Sequence, residues 1–192
     1  MERGKVQTDE DIVRQIVNGE TEMFRVLVER HKDVSLTLAY TILKDTALAE
    51  DVLQEAFLKA FKNLKRFNFE ASFSTWFHRI VLNTSYNTLK KTKNRRTEPL
   101  ENRAIKETGN STGFDILRSE ERTNAINHIL DTMKPNESLV LRLHYLAERK
   151  VGEIAKITAL SPSNVKVILH RARINFRSAL DDLLGPEKTN LL

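Results

Sequence analysis

The sequence predicts an all-helical protein built as two small bodies joined by a tether. Three observations carry that expectation. Apolar residues recur at intervals of three and four along most of the chain, the spacing that lines one face of a helix, and strand-like alternation is scarce. Only 6 glycines and 4 prolines punctuate the 192 residues, so the segments between breaks are long. The helical pattern lapses over residues 97–114, a stretch holding Gly109-Asn110-Ser111-Thr112-Gly113, and such composition makes a flexible linker. One domain is therefore expected over 8–96 and a second over 115–185.

The elements follow in order. Thr8 is placed to cap a first helix over 8–17, with Asp9, Glu10 and Asp11 in its first turn, where acidic groups meet the positive end of the helix dipole. Thr21 opens a longer helix whose apolar stripe is Phe24, Leu27, Val28, Val34, Leu38 and Ile42, and Lys44-Asp45-Thr46 breaks it. A strongly amphipathic helix over 47–64 presents Val52, Leu53, Ala56, Phe57, Ala60, Phe61 and Leu64 on one broad face. A Phe-rich loop over 67–73 follows, and Ser74 is expected to cap a helix running to about Lys91. It leads into the basic run Lys90, Lys91, Lys93, Arg95 and Arg96.

Beyond the linker, Ile126, Ile129, Leu130 and Met133 define a helix that Lys134-Pro135 ends. Asn136 is expected to cap the next, which carries Val140, Leu143 and Leu146. Two short helices then meet at a tight turn. Glu153-Ile154-Ala155 belongs to the first, with Ala155 small where helices cross, and the turn falls at Ala159 and Leu160. Ser161 can cap the second helix and Pro162 suits its first turn. Val165, Leu169 and Ala172 face inward, leaving Lys166, His170, Arg171 and Arg173 outside; Gly185-Pro186 stops the helix. This is the pattern of a helix-turn-helix, which sets one helix into the major groove of DNA.

Composition bounds the function. The net charge of +5 is compatible with a polyanionic partner. There is no cysteine, which excludes disulfides and thiolate metal sites. The five histidines have no ligand spacing, so no metal is expected. No paired carboxylates, no nucleophile with a base and no phosphate-cradling glycine loop is found, so neither catalysis nor a cofactor is expected. No apolar run approaches a membrane span. The expectation is a cytoplasmic, soluble protein, not inserted in a membrane.

Two places in the first domain bear on function. Leu58 falls on the polar side of its helix, among Asp51, Gln54 and Glu55. A lone exposed Leu is ordinary; an apolar residue ringed by polar ones is also how a docking surface looks. Phe67, Phe69, Phe73, Trp76 and Phe77 crowd within eleven residues, between Arg66 and Arg79. They suit a small aromatic core, or stacking on an unpaired base. Asn83, two turns beyond Trp76, can donate and accept at once, which suits a base edge. The basic run is either a solvated tail or a track for phosphates.

Three segments carry a family resemblance. Ala49-Glu50-Asp51-Val52-Leu53-Gln54-Glu55-Ala56-Phe57-Leu58-Lys59-Ala60-Phe61, Phe73-Ser74-Thr75-Trp76-Phe77-His78-Arg79-Ile80-Val81-Leu82-Asn83-Thr84, and Glu153-Ile154-Ala155 through Val165-Lys166 to His170-Arg171-Ala172-Arg173 stand in that order. Together the chain resembles bacterial sigma factors of the extracytoplasmic-function (ECF) type. The resemblance implies that Asp51, Gln54 and Glu55 meet the β′ clamp helices of core RNA polymerase, and the helical wheel adds Leu58. It implies that Phe67 and Asn83 hold a base flipped from the −10 element, with Trp76 near the point of strand separation. Arg79, Lys90 and Lys91 join that −10 surface. For the −35 element it implies Ser163, Asn164 and Lys166 at the groove and Arg171 and Arg173 on phosphate, with Arg149 and Lys150 touching phosphate ahead of the motif and Ser161 and His170 joining that −35 surface. Implied partners are core polymerase, its β flap included, promoter DNA and an anti-sigma factor.

The chain departs from the family pattern in places. Where Thr-Val-Lys-Ser-Arg is common, it reads Asn164-Val165-Lys166-Val167-Ile168; Ile168 can join the packed face, and Val167 can touch a thymine methyl or weaken base readout. Ala159 replaces the turn glycine, tolerable where φ stays negative. Asn87 stands where many relatives have Asp. Acidic Glu98, Glu101, Glu107 and Asp115 in and beside the linker can occupy space meant for nucleic acid, or simply be solvated. The alternative function is a helix-turn-helix regulator acting on duplex DNA without polymerase. It leaves Asp51 to Leu58 and Phe67 to Asn83 without a task.

Overall fold

The computed structural model describes residues 7–95 and 114–184, with side chains over 7–94 and 123–183. Among these are eight α-helices and no strand: α1 (Asp9–Val17), α2 (Phe24–Leu43), α3 (Thr46–Asn63), α4 (Phe73–Arg95), α5 (Phe114–Thr132), α6 (Pro135–Leu141), α7 (Val151–Thr158) and α8 (Pro162–Leu184). The linker up to residue 113, the side chains of Arg95, Arg96 and Asp115, and the Gly185-Pro186 stop lie outside the described residues.

In the first body, local chemistry sets the helix ends. Thr8 Oγ1 accepts from the Asp11 N–H at 3.2 Å, and the Asp11 carboxylate accepts from the Thr8 N–H at 3.3 Å, a reciprocal box that satisfies two orphan donors. Lys44 ends α2 in the left-handed region at φ 53°, and Asp45 caps α3 by accepting from the Leu48 N–H at 3.0 Å. Ser72, not Ser74, caps α4: its hydroxyl accepts from the Thr75 N–H at 3.3 Å. The run Ser72-Phe73-Ser74-Thr75 offers three oxygens, and the one preceding the first turn is used. Helices α2, α3 and α4 pack together with α1 laid against them. Their core is aromatic: Phe57 stacks on Phe77 with centroids 4.4 Å apart, and Phe77 on Phe73 at 5.8 Å. Burying each such ring contributes roughly 1.5–3 kcal/mol.

The second body is wound from shorter pieces. Lys134 precedes α6 with Pro135 in its first turn, so Asn136 lies inside the helix and does not cap it. Proline loses nothing there, since the first N–H groups of a helix have no partner. One π-helical turn, Arg142–Leu146, follows. The Glu153 carboxylate accepts from the Lys150 N–H at 2.9 Å and starts α7. Ser161 caps α8, accepting from the Asn164 N–H at 3.2 Å. Val165, Ile168, Leu169 and Ala172 are buried, so Ile168 does join the packed face.

The turn between α7 and α8 differs from expectation. Ala159 takes φ 58° and ψ 26°, the left-handed region that costs a residue with a Cβ about 1–2 kcal/mol. Ala159 is exposed, so its methyl returns little in packing. Ala159→Gly is expected to raise unfolding free energy by about 1 kcal/mol. Denaturant unfolding checks this; an unchanged midpoint means the turn carries no such strain.

The two bodies are in contact. Leu38, Ile42 and Leu82 of the first share one buried cluster with Leu139, Val140, Leu143, Ile154 and Val165 of the second. Lys44 reaches across to Asp131, Nζ to Oδ1 2.9 Å. Asp131 also accepts from the buried Arg142 guanidinium at 3.2 Å.

His78 lies near this junction, 2% exposed, with neither ring nitrogen hydrogen-bonded to protein. Burial holds its pKa down to about 3; charge on His31 and Arg149 acts the same way, and Glu153 opposes. His31 itself is bonded to Asp9, Nε2 to Oδ2 2.6 Å. The neutral imidazole is the folded form, while the unfolded chain takes up its proton near pH 6.5. The His78 contribution is intact above that value and is lost progressively as pH falls from about 6.5 toward 3. His78→Phe is expected to lose less stability than the parent between pH 7 and 5.5, read as paired denaturation midpoints. Equal losses would remove His78 as the acid-sensitive group.

Candidate nucleic-acid interface

Asp51, Gln54, Glu55 and Leu58 all stand exposed on α3. Their spacing of three, four and seven puts them on one stripe. Leu58 is 61% exposed. Glu55 is held in place by Lys59, Oε1 to Nζ 2.7 Å. The stripe is an apolar group among acceptors, and it stands exposed among the described residues.

Helix α4 carries the second surface. Trp76 is half-buried, and Arg79, Asn83, Lys90 and Lys91 are exposed. A 470 Å³ cleft opens between α3 and α4, lined by Lys59, Asn63, Arg66, Trp76, Ile80, Asn83, Thr84 and Asn87. It offers an aromatic face, a two-way amide and cations at its edge, a set suited to an unstacked nucleotide. Lys59 Nζ donates to Thr84 Oγ1 at 3.2 Å, tying the two helices together along it. Lys59 and Asn63 escaped notice in the sequence because they belong to a different helix from the aromatic run. The i, i+4 spacing of polar residues on an otherwise apolar-faced helix is the signal that marks them.

Phe67 is largely enclosed. It is 6% exposed, with its ring against Phe69 at 4.7 Å and Trp76 at 5.2 Å. It packs against Trp76, and the two line one cavity. Phe69, by contrast, is 40% exposed and lies under the Arg14 guanidinium at 4.8 Å.

On the second body, Ser161, Ser163, Asn164, Lys166, Val167 and His170 are exposed along the first turns of α8. Val167 is 55% exposed, so it belongs to the outward face and not to the core. Lys150 is exposed ahead of α7. Arg171 approaches the buried Glu137 carboxylate at 3.9 Å, and Arg173 donates to the Tyr145 hydroxyl at 2.9 Å. Arg149 is turned inward: it donates to Ser74 Oγ at 2.7 Å and to the Ala147 carbonyl at 2.6 Å. Arg149 is partly exposed, with these donors engaged within the chain.

The model of Sigma-70 region 2 matches residues 27–96, and that of Sigma-70, region 4, matches residues 123–175. The chain belongs to the sigma-70 family. Curated relatives put it in the ECF branch. It is 29% identical over 179 residues to "ECF RNA polymerase sigma factor SigW" of Bacillus subtilis, covering 89% of this chain and 96% of that one. It is 29% identical over 191 residues to "ECF RNA polymerase sigma-E factor" of Escherichia coli K12, covering 93% and 95%. Among solved structures, CnrH in complex with the cytosolic domain of CnrY matches at TM-score 0.63 and 21% identity, over 91% of this chain and 97% of that one. The sigma factor RpoE of Bartonella quintana, with the anti-sigma factor NepR, matches at TM-score 0.64 and 16% identity, over 82% and 96%. At those identities the solved structures speak to the fold of this sigma factor. The α3 stripe and the α4 cleft both fall inside the region 2 match, and the α7–α8 motif inside the region 4 match.

Proposed function

We propose that this chain is a promoter-specificity subunit that binds bacterial core RNA polymerase, recognises a promoter and opens it for initiation. One observation supports this reading above the rest: a polar-ringed Leu58 and a Trp76–Asn83 cleft stand on neighbouring helices of one rigid body. A polymerase held by α3 would thus bring its DNA to α4. The first domain, over 8–96, takes the clamp helices of β′ through Asp51, Gln54, Glu55 and Leu58. Trp76 and Asn83 hold a flipped base of the −10 element, and Arg79, Lys90 and Lys91 follow its backbone. The linker over 97–114 joins this to the second domain, over 115–185. That domain meets the β flap and lays α8 into the −35 groove, with Ser163, Asn164, Lys166 and Val167 at base edges and His170, Arg171 and Arg173 toward the backbone. Exposed Val167 suits a thymine methyl.

The chain does no chemistry itself in this scheme; nucleotide addition belongs to the polymerase, and the work is done in the cytoplasm. An anti-sigma factor is the expected restraint, since the structurally similar RpoE of Bartonella quintana is in complex with the anti-sigma factor NepR. Mixing the purified chain with core polymerase and a genomic promoter library tests the proposal. The expected result is a stable holoenzyme that initiates at a discrete promoter set. If the chain shifts duplex DNA unaided and ignores the polymerase, it is a stand-alone regulator instead.

A further inference from the structure

The Phe-rich loop between α3 and α4 is strained at one residue. Phe69 takes φ 60°, the left-handed region, where a bulky side chain is a true outlier. Asn68 Oδ1 accepts from the Glu70 N–H at 3.4 Å and closes the turn around it. The ring does not offset the strain by full burial, since it is 40% exposed. Backbone in a sparsely populated region persists only where its surroundings over-determine it, and such places gather where exact geometry is used.

What holds this loop is α1. Arg14 sets its guanidinium over the Phe69 ring, 4.8 Å from the centroid, within the range of a cation–π contact. Glu10, four residues earlier on the same helix face, accepts from the Phe73 N–H at 3.1 Å, at the start of α4. The two groups grip the loop at its crest and at its end. Helix α1 is itself fixed: Ile12, Val13 and Ile16 are buried, and Asp9 meets Arg30 at 2.9 Å and His31 at 2.6 Å on α2. Ring contacts carry the grip onward. Phe69 lies 4.7 Å from Phe67, and Phe67 lies 5.2 Å from Trp76, separations at which rings orient one another. Arg14, Phe69, Phe67 and Trp76 thus form one line of contacts from α1 to the cleft that Trp76 lines.

We propose that Glu10 and Arg14 are positioning residues for strand reading: they brace the loop with Phe69 in its strained form, and the Phe69–Phe67 pair fixes the Trp76 ring for an unpaired base. This rests on the function proposed above. The strain supplies a signature that a plain packing contact lacks. Relaxing the loop leaves the fold intact and spoils the reading.

Trp76 is the single tryptophan of the chain, so its fluorescence reports on the brace directly. Glu10→Ala with Arg14→Met removes both grips. Phe69→Gly drops the ring and relieves the backbone, since glycine adopts this conformation freely. Each full-length protein is measured for acrylamide quenching of Trp76, thermal midpoint, binding to core polymerase, and rate of opening a promoter selected by the parent holoenzyme. In both variants quenching is expected to rise above the parent's and the midpoint to hold. Opening is expected to slow about tenfold, as when the reading-competent arrangement falls to a tenth of the population. Polymerase binding is expected to stay at the parent's value, because the α3 stripe is untouched. Arg14→Lys, which keeps a cation for the ring, is expected to retain the parent's quenching and opening rate. Parent-level quenching in both variants overturns the brace. So does raised quenching with opening at the parent's rate, or slowed opening that only follows a lowered midpoint. If no form, the parent included, binds core polymerase, the sigma reading fails instead, and the quenching comparison still decides the brace.

Discussion

Leu58→Asp is expected to weaken binding to core polymerase by at least about a hundredfold while leaving the fold unchanged. The side chain is 61% exposed and belongs to neither buried cluster, so its loss costs the free protein little; surface changes of this kind usually stay within about 0.5 kcal/mol. In the complex the balance reverses. Burying a leucine contributes roughly 1.5–3 kcal/mol, and a carboxylate in its place must be stripped of water beside Asp51 and Glu55 with no cation provided. Lys59 does not help, since it already pairs with Glu55 at 2.7 Å. Fluorescence titration of labelled protein against core polymerase measures the effect, and matched thermal midpoints show that the fold is intact. An unchanged dissociation constant would take Leu58 out of the docking surface. Leu58→Met, which keeps volume and apolarity, is expected to bind within a few-fold of the parent.

The long helices were legible because their apolar spacing is strong and their breaks are chemical. Thr8 is placed where a cap is needed and the structure uses it, and within the break at Lys44-Asp45-Thr46 the structure takes Asp45 as the cap of α3. The helix-turn-helix was legible for the same reason, down to Ser161 as the cap of α8. What failed was local choice among equivalent groups. Ser72 and Ser74 are both hydroxyls within reach of the same turn, and only the path of the preceding loop decides between them. Asn136 is a good capping residue by type, yet Pro135 beside it fixes φ for a first helical position and moves the start back. Ala159 was misjudged because alanine favours the right-handed region, and only the demand of two packed helices forces it elsewhere.

The junction between the bodies could not be read at all. Leu38, Ile42 and Leu82 look like continuations of their own helices' stripes. Nothing in their spacing says that Leu139, Val140 and Ile154 cover them, because burial by a distant segment leaves no periodic trace. Phe67 is a related case. A loop aromatic beside arginines has the same composition whether it faces solvent or a neighbouring ring, and the 5.2 Å contact with Trp76 decides it.

Asn83→Ala is expected to leave holoenzyme assembly intact and to reduce open-complex formation by about ten- to a hundredfold. Asn83 is exposed on α4, seven residues past Trp76 and four past Arg79, and shares its cleft with Arg66 and Lys59. Its amide can both donate and accept toward a base edge beside the tryptophan face, a pairing worth roughly 1–3 kcal/mol, which is the stated range in rate at about 1.4 kcal/mol per decade. Flipping a base costs a few kcal/mol, so losing the amide removes much of what offsets that cost while duplex contacts elsewhere persist. The defect is therefore expected in strand opening and not in initial promoter binding. Permanganate reactivity of unpaired thymines on the cognate promoter separates the two, and a pre-opened bubble template should recover most of the lost rate. Asn87→Ala is the comparison: Asn87 lines the same cleft one helical turn further along α4 from Trp76 than Asn83 does, and its loss is expected to cost less than about threefold. If Asn83→Ala melts the duplex as fast as the parent, the base is held by other groups and the cleft between α3 and α4 is not its pocket.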